Sequence, residues 1–467
     1  MPTHNLMSSS GRGITSIPLI SISRSPSPSL RRHTELNPQC SVDGEDDWDT
    51  GIRTPFFSND STKDHGWRHW IYNGGSGHFL FNTPTGWQLY TSTLILWLGG
   101  CQIGLILMNR IILWTGVYKF PYPLTTTFME LLITHFFVTL SAYITRWVSP
   151  WLVSAGLSSG IAPSRPLKIA SPIGFRSGSR LLAPIKIWLQ KNEGGIAGGG
   201  FFEFDPEVAR LVLPCASIFV AKICLSNLSF AYAQLQIYFL ARIATVPLSL
   251  LFTYLLARTS YSVATISSVL TATLTLLIAT ARTNVRVTWE SIVAGILSSI
   301  FVVLYPIQIQ RTYQALVSQI ISQGEHFNSS SSIRLNSPSG SSEETRAYWR
   351  LLHYTSILSM LIFIPIILLS GEVGNIWRNC YTLDVFFHWL MILCGGLGSW
   401  AVFWATIALT RATSPFTVTS LFIPRAAFLL PIISGWQMPT HSWVGLVMCW
   451  ACCLWLWISR NREAPGF

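Results

Sequence analysis

From residue 88 onward, apolar stretches of about 20 residues alternate with polar breaks, and each stretch can cross a hydrocarbon core as a helix. The pattern predicts ten spans, at roughly 88–109, 123–146, 209–230, 234–256, 260–281, 289–310, 350–370, 386–408, 414–434 and 440–459. Their ends carry Trp, Tyr and Arg, the residues that anchor helices at a membrane interface. The period-two alternation of short strands that marks a membrane barrel is missing from the chain. The expected fold class is therefore an all-α membrane protein with ten transmembrane helices.

The polar segments divide the rest. Residues 1–87 are rich in Ser, Pro, Gly, Asn and Asp and include the acidic run "DGEDDWD", so a disordered tail is expected there. The first residues lack a long apolar core, so no cleavable signal peptide is expected. Within this tail Asp47-Trp48-Asp49 matches the D-x-D pattern of metal-dependent glycosyltransferases, a chance match in such a setting. Two long linkers, 148–207 with "GGIAGGGFF" and 312–347 with "NSSSSIRLNSPSGSSEE", are of low complexity. The glycine run is no phosphate loop, because no Lys-Ser or Lys-Thr pair follows it. A short tail, 460–467, closes the chain.

The second linker divides the spans unevenly. A division near residue 285 gives five plus five, and an odd number per half makes the halves run through the membrane in opposite senses. That is the inverted-repeat plan of many secondary transporters.

Charge sets the orientation. Of 467 residues 50% are hydrophobic and only 11% charged, yet the net charge is +11. In a soluble protein such a balance would suggest nucleic acid. Here the cations sit in loops, as the positive-inside bias requires, and no nucleic-acid partner is expected. Cytosolic termini place about 21 of the 31 Lys and Arg in cytosolic segments and about 5 opposite. The sequons at Asn59 and Asn328 then lie in the cytosol. The nine cysteines show no metal or redox spacing, and most of those within apolar runs read as small core residues. "CWACC", Cys449 to Cys453, is a candidate for lipidation. No metal or cofactor is expected. No set of His plus acid appears among the spans, so an enzyme is not expected either.

Four ionisable residues fall inside the spans: Glu130, Lys222, Arg242 and Arg425, with Arg110 at the end of the first span. A charge at the centre of a membrane helix costs about 2.5–3.5 kcal/mol on insertion scales, and such residues mark ligand or ion pathways. Four of the five are cations, which points to an anionic ligand, most simply a phosphate. Alternatives stay open. Arg110 either snorkels to the interface or faces the ligand. Lys222 either pairs with Glu130 or faces the ligand. His135 is readable as a neutral buried residue. Tyr238 stands one turn before Arg242 on the same face. Asn227, Gln234 and Gln236 add polar groups near the turn between the third and fourth spans, and Pro247 and Pro424 break the backbone ladder near Arg242 and Arg425.

These residues carry a family likeness. "LMNRIIL" with "FPYPLTTTF", "LPCASIFVAKICLSNLSFAY" with "IYFLARIATVPLSLLFTYLL", "TWESIVAGILSSIFVVLYPIQIQR", "YWRLLHYTSILSMLIFIPIILLSGE" and "ATSPFTVTSLFIPRAAFLL" resemble segments of the drug/metabolite transporter superfamily. Within it they resemble the triose-phosphate/nucleotide-sugar translocator group, and inside that group the eukaryotic GDP-fucose transporters. The likeness covers roughly residues 88–460 apart from the linkers. It implies ten spans, a central cavity and antiport of a nucleotide-sugar against a nucleoside monophosphate in the Golgi or endoplasmic reticulum. The positions it carries over are Asn109, Arg110, Tyr238, Arg242, Tyr354 and Arg425. Lys222 and Asn227 join them from the residue reading. The chain also departs from the pattern. His353-Tyr354-Thr355-Ser356 stands where guanine-nucleotide members have Phe-Tyr-Asn-Asn, and Tyr305 stands for a usual Asn. Phe422-Ile423-Pro424-Arg425 stands for Gly-Thr-Ala-Lys. The phosphate-binding cations are kept, while the positions expected to read base and sugar have changed.

The expected function is thus an antiporter for a phosphate-bearing anion, most simply a nucleotide-sugar such as a GDP-sugar. The alternatives are an exchanger of small organic phosphates against inorganic phosphate and a non-transporting membrane regulator. Gly100-x-x-x-Gly104 permits close helix contact, within the bundle or across a homodimer.

Overall fold

A computed structural model describes residues 75–114, 120, 122–163, 204–232, 235–280, 289–328, 340–379, 386–434 and 436–463. The expected disordered tail lies almost entirely outside these residues, as do most of the first linker and the tail at 464–467. The described residues form helices and loops without a strand. Among the described residues, ten helices are long and apolar enough to cross a membrane.

We name the ten in chain order: α1 (Pro84–Trp114), α2 (Pro123–Trp147), α3 (Pro206–Tyr232), α4, α5 (Val263–Thr280), α6 (Trp289–Asn328), α7 (Gly340–Ser370), α8 (Phe386–Ala412), α9 and α10 (Thr440–Glu463). Two are broken. α4 consists of α4a (Leu235–Ala241) and α4b (Thr245–Ala257), and α9 of α9a (Pro415–Ser420) and α9b (Phe422–Ile433).

The spans agree with the hydropathy pattern within a few residues, except around the second linker. There α6 runs on to Asn328 and α7 begins at Gly340, so most of the linker expected at 312–347 is helical. The apolar face of α6 continues past Arg311 through the buried Leu316 and Ile320, and the polar residues between them hide it. At the start of α7, Glu343 in the first turn suits the positive end of the helix dipole. Short helices at Gly75–Asn82 and Ser149–Ser154 likewise fall within segments expected to be irregular.

The neighbour pattern supports the five-plus-five repeat. α1 packs on α8 and α6 on α3; α2 packs on α8 and α7 on α3; α2 packs on α7 and α5 on α10. Exchanging α1 with α6, α2 with α7, α3 with α8, α4 with α9 and α5 with α10 maps this set onto itself. The two broken helices are exchanged as well. Their breaks share a cause. Pro247 is the third residue of α4b and Pro424 the third of α9b. Each lacks an N–H, and its ring clashes with the carbonyl four residues back. At α4 the chain crosses the break with tight turns, Arg242 N to Phe239 O at 3.2 Å and Thr245 N to Arg242 O at 3.0 Å.

Two apolar cores flank these breaks. One joins α2, α3, α6, α7 and α8 around residues such as Phe219, Tyr305 and Phe403. The other joins α4, α5, α9 and α10 around Phe239, Leu276, Phe422 and Cys449. Helices approach closely where side chains vanish: a Cβ on Gly396 of α8 would meet Ile133 of α2 at 2.5 Å.

Candidate functional site

Between the two cores lies a cavity walled by residues of α1, α2, α3, α4, α6, α8 and α9. Broken helices at matching positions of two repeats are where transporters place their sites.

The charged wall is built from the breaks. Arg242 sits where α4 is interrupted and is only 5% exposed. Its Nη1 donates to Ser226 Oγ at 3.1 Å and to Tyr238 Oη. Ser226 and Tyr238 also bond each other at 3.1 Å. Its Nε is buried without a partner. Arg425, on α9b, donates from Nη1 to Gln102 Oε1 of α1 at 2.5 Å and lies 5.4 Å from the Phe422 ring. Its Nε too is without a partner. Lys222 of α3 is held by rings: its Nζ lies 4.5 Å from the centre of Tyr305 and 5.6 Å from Phe219. No carboxylate among the described residues lies within salt-bridge distance of any of the three.

Asn109, Lys222, Asn227, Tyr238, Arg242 and Arg425 are thus brought to one cavity. Asn227 donates to Thr127 of α2 at 2.6 Å, which fixes its orientation. Glu130 lines the same space but makes no ion pair with Lys222. Its Oε1 faces Gly395, beside Asn109.

Two of the candidate residues lie elsewhere. Arg110 follows Asn109 by one residue, about 100° around α1, and is not part of the cavity wall. Tyr354 is fully buried outside the cavity, and its Oη accepts the Asp205 N–H at 2.8 Å, tying α7 to the start of α3. The neighbouring positions of α7 turn the same way. Ser356 bonds His135 Nδ1 of α2 at 2.9 Å, which gives that histidine a partner within the bundle. Gln234 and Gln236 lie outside the residues whose side chains are described.

The structure adds residues that the chain alone did not mark. Gln102 was overshadowed by the glycines around it, although it stands seven residues before Asn109, two turns away on the same face. Ser226, Phe219 and Phe403 are ordinary residue types for a span.

Among the described residues the fold is a bundle of ten membrane-length helices with a five-plus-five neighbour pattern and a polar, cation-rich cavity, a plan common among secondary transporters. No family model matches the chain. It is similar to GDP-fucose transporter 1 of Dictyostelium discoideum, 25% identical over 265 residues, 56% of this chain and 64% of that protein. It is also similar to GDP-fucose transporter 1 of Mus musculus, 25% over 215 residues, 46% and 51%. A third relative is the "GDP-fucose transporter, Golgi" of Drosophila melanogaster, 21% over 215 residues, 46% and 55%. The chain matches about half to under two thirds of these relatives' lengths. The similarity bears out the resemblance to nucleotide-sugar transporters read from the motifs.

Proposed function

We propose that this protein is an antiporter that carries a phosphate-bearing anion, a nucleotide-sugar with a GDP-linked sugar as first candidate, across a Golgi or endoplasmic-reticulum membrane in exchange for a nucleoside monophosphate. The observation that carries the reading is the convergence of Lys222, Arg242 and Arg425 on one cavity with no carboxylate within salt-bridge distance among the described residues. Unpaired buried cations are costly. A phosphate offsets that cost, and a guanidinium can grip it with two parallel charge-assisted hydrogen bonds. The relatives named as GDP-fucose transporters support the substrate class, and one named for the Golgi supports the membrane. The positive-inside distribution of Lys and Arg supports cytosolic termini.

Transport follows from the repeat. The halves rock about the cavity, and the breaks of α4 and α9 let each arginine follow its own half. Arg242 and Arg425 hold the phosphates while Gln102, Ser226 and Tyr238 hold the guanidinium groups in place. An empty cavity with three cations out of salt-bridge contact reorients reluctantly, which favours exchange over one-way flow.

The test is uptake into proteoliposomes of the purified chain. Vesicles preloaded with GMP should take up a labelled GDP-sugar faster than empty vesicles or vesicles loaded with inorganic phosphate. Stimulation by inorganic phosphate alone would favour small organic phosphates as cargo. No uptake of any phosphorylated solute would overturn the reading.

A further inference from the structure

We propose that Glu130 of α2, with Asn109 of α1, forms a proton-binding site in the cavity wall, and that a phosphate-bearing solute and one proton bind the protein together. The inference rests on the phosphate reading above and adds a second occupant to the same cavity.

Every other acid among the described residues lies at or beyond the end of a span. Glu130 stands well inside α2, is only 4% exposed and lines the cavity. It has no cation within salt-bridge distance among the described residues. Asn109 is its hydrogen-bonding neighbour, yet Glu130 Oε1 and Asn109 Oδ1 are both buried without a partner. The two oxygens flank one spot beside α8: a Cβ on Gly395 would lie 3.5 Å from Oε1 and 3.9 Å from Oδ1. An ionised carboxylate and an amide oxygen can only accept, so nothing there donates. A proton on Glu130 supplies the missing O–H. A metal cation fits less well, because hard cations demand more oxygen ligands than these two and three cationic side chains already share the cavity.

The other charged and titratable groups of the cavity wall are Lys222 of α3, Tyr238 and Arg242 of α4, Tyr305 of α6 and Arg425 of α9. Arg110 of α1 lies outside that wall. The remaining elements packed on α2 commit their titratable groups elsewhere. His353 of α7 lies beside His135, ring centres 5.7 Å apart, and His135 bonds Ser356. Tyr354 bonds Asp205, and His388 of α8 lies 4.9 Å from the Phe120 ring. Glu372 accepts the N–H groups of Leu124 and Thr125 at the start of α2. Glu130 is therefore the acid in a wall of cations and phenols. A phosphate that enters shares a low-dielectric space with it, where like charges repel far more strongly than in water. A proton on Glu130 removes the repulsion, so the anion and the proton each strengthen the binding of the other.

Equilibrium binding of GDP-fucose to the purified protein, repeated as the pH is raised from neutral, tests this; the esterified pyrophosphate of that probe does not itself titrate there. Wild-type affinity should fall, approaching about tenfold per pH unit once Glu130 ionises in the empty protein, because one proton binds with each solute. Glu130→Gln keeps the shape of the neutral acid and a donor for Asn109. It should bind as tightly as the protonated wild type and lose that slope; a slope common to both proteins belongs to Lys222 or Tyr238. Infrared spectra of the wild type give a readout that needs no variant. The carbonyl stretch of a neutral carboxyl should be present with GDP-fucose bound and should vanish from the empty protein at alkaline pH. The proposal is overturned if Glu130→Gln keeps the full wild-type slope, if the bound wild type shows no neutral carboxyl, or if sodium shifts the affinity and pH does not. A wild-type protein that does not bind GDP-fucose at any pH refutes the phosphate reading itself; one that binds it with no proton dependence refutes the proton site alone.

Discussion

Replacing Arg242 with Gln separates a ligand-binding charge from a structural one, because the two roles predict opposite effects on stability. The substitution removes a guanidinium that is 5% exposed and has no carboxylate partner among the described residues. In the empty protein it loses the bonds to Ser226 and Tyr238, each worth about 1 kcal/mol net. Those two partners still bond each other at 3.1 Å. Against this loss stands relief of an uncompensated buried charge, an effective penalty of several kcal/mol. The empty Arg242→Gln protein should therefore melt at or above the wild-type temperature. With ligand the balance reverses. A charge-assisted contact to phosphate is worth about 1.5–3 kcal/mol, so affinity should fall roughly 10- to 150-fold. The assay is paired: melting of detergent-solubilised protein with and without GMP, and exchange in proteoliposomes. A variant that melts well below wild type without ligand, or that exchanges GDP-sugar at the wild-type rate, would refute the reasoning.

Other predictions test the frame of the site. Gly396→Ala places a Cβ against Ile133 at the α2–α8 contact and should destabilise by about 1–3 kcal/mol through overpacking, read as a lower melting temperature. Tyr354→Phe removes the acceptor of the Asp205 N–H and should cost stability of about 1–3 kcal/mol while leaving GMP affinity unchanged in a binding titration. Glu372→Gln weakens the cap on the N–H groups of Leu124 and Thr125 at the start of α2, a loss of about 1 kcal/mol in thermal unfolding with little effect on ligand affinity.

Much of this architecture is legible in the chain because the membrane enforces a strict rule. Backbone groups in lipid must pair within a helix, so each long apolar run becomes one, and a charge inside a run stands out. Lys222, Arg242 and Arg425 were visible for that reason, and Pro247 and Pro424 located the breaks. What hydropathy does not encode is which face of a helix meets the cavity. Tyr354 sits in a suggestive motif, but the packing of α7 on α2 and α3 turns it away. Arg110 is one residue from a wall position and misses it by the helical rotation. Phe219, Phe403 and Ser226 carry no mark in sequence, since a phenylalanine or serine in a span is ordinary until its neighbours are known. The ends of α6 and α7 were hidden by composition, because a polar, Ser-rich segment can be helical beyond the bilayer.

The central claim is that the cavity binds the phosphate of its solute, and one measurement addresses it directly. The melting temperature of the purified wild-type protein is followed with guanosine, GMP and a GDP-linked sugar, all at the same concentration. A ligand that binds the folded state raises the melting temperature in proportion to its occupancy. The account predicts a rise with GMP and with the GDP-sugar and none of similar size with guanosine. Equal stabilisation by guanosine and GMP, or no stabilisation by either phosphorylated compound, would contradict it.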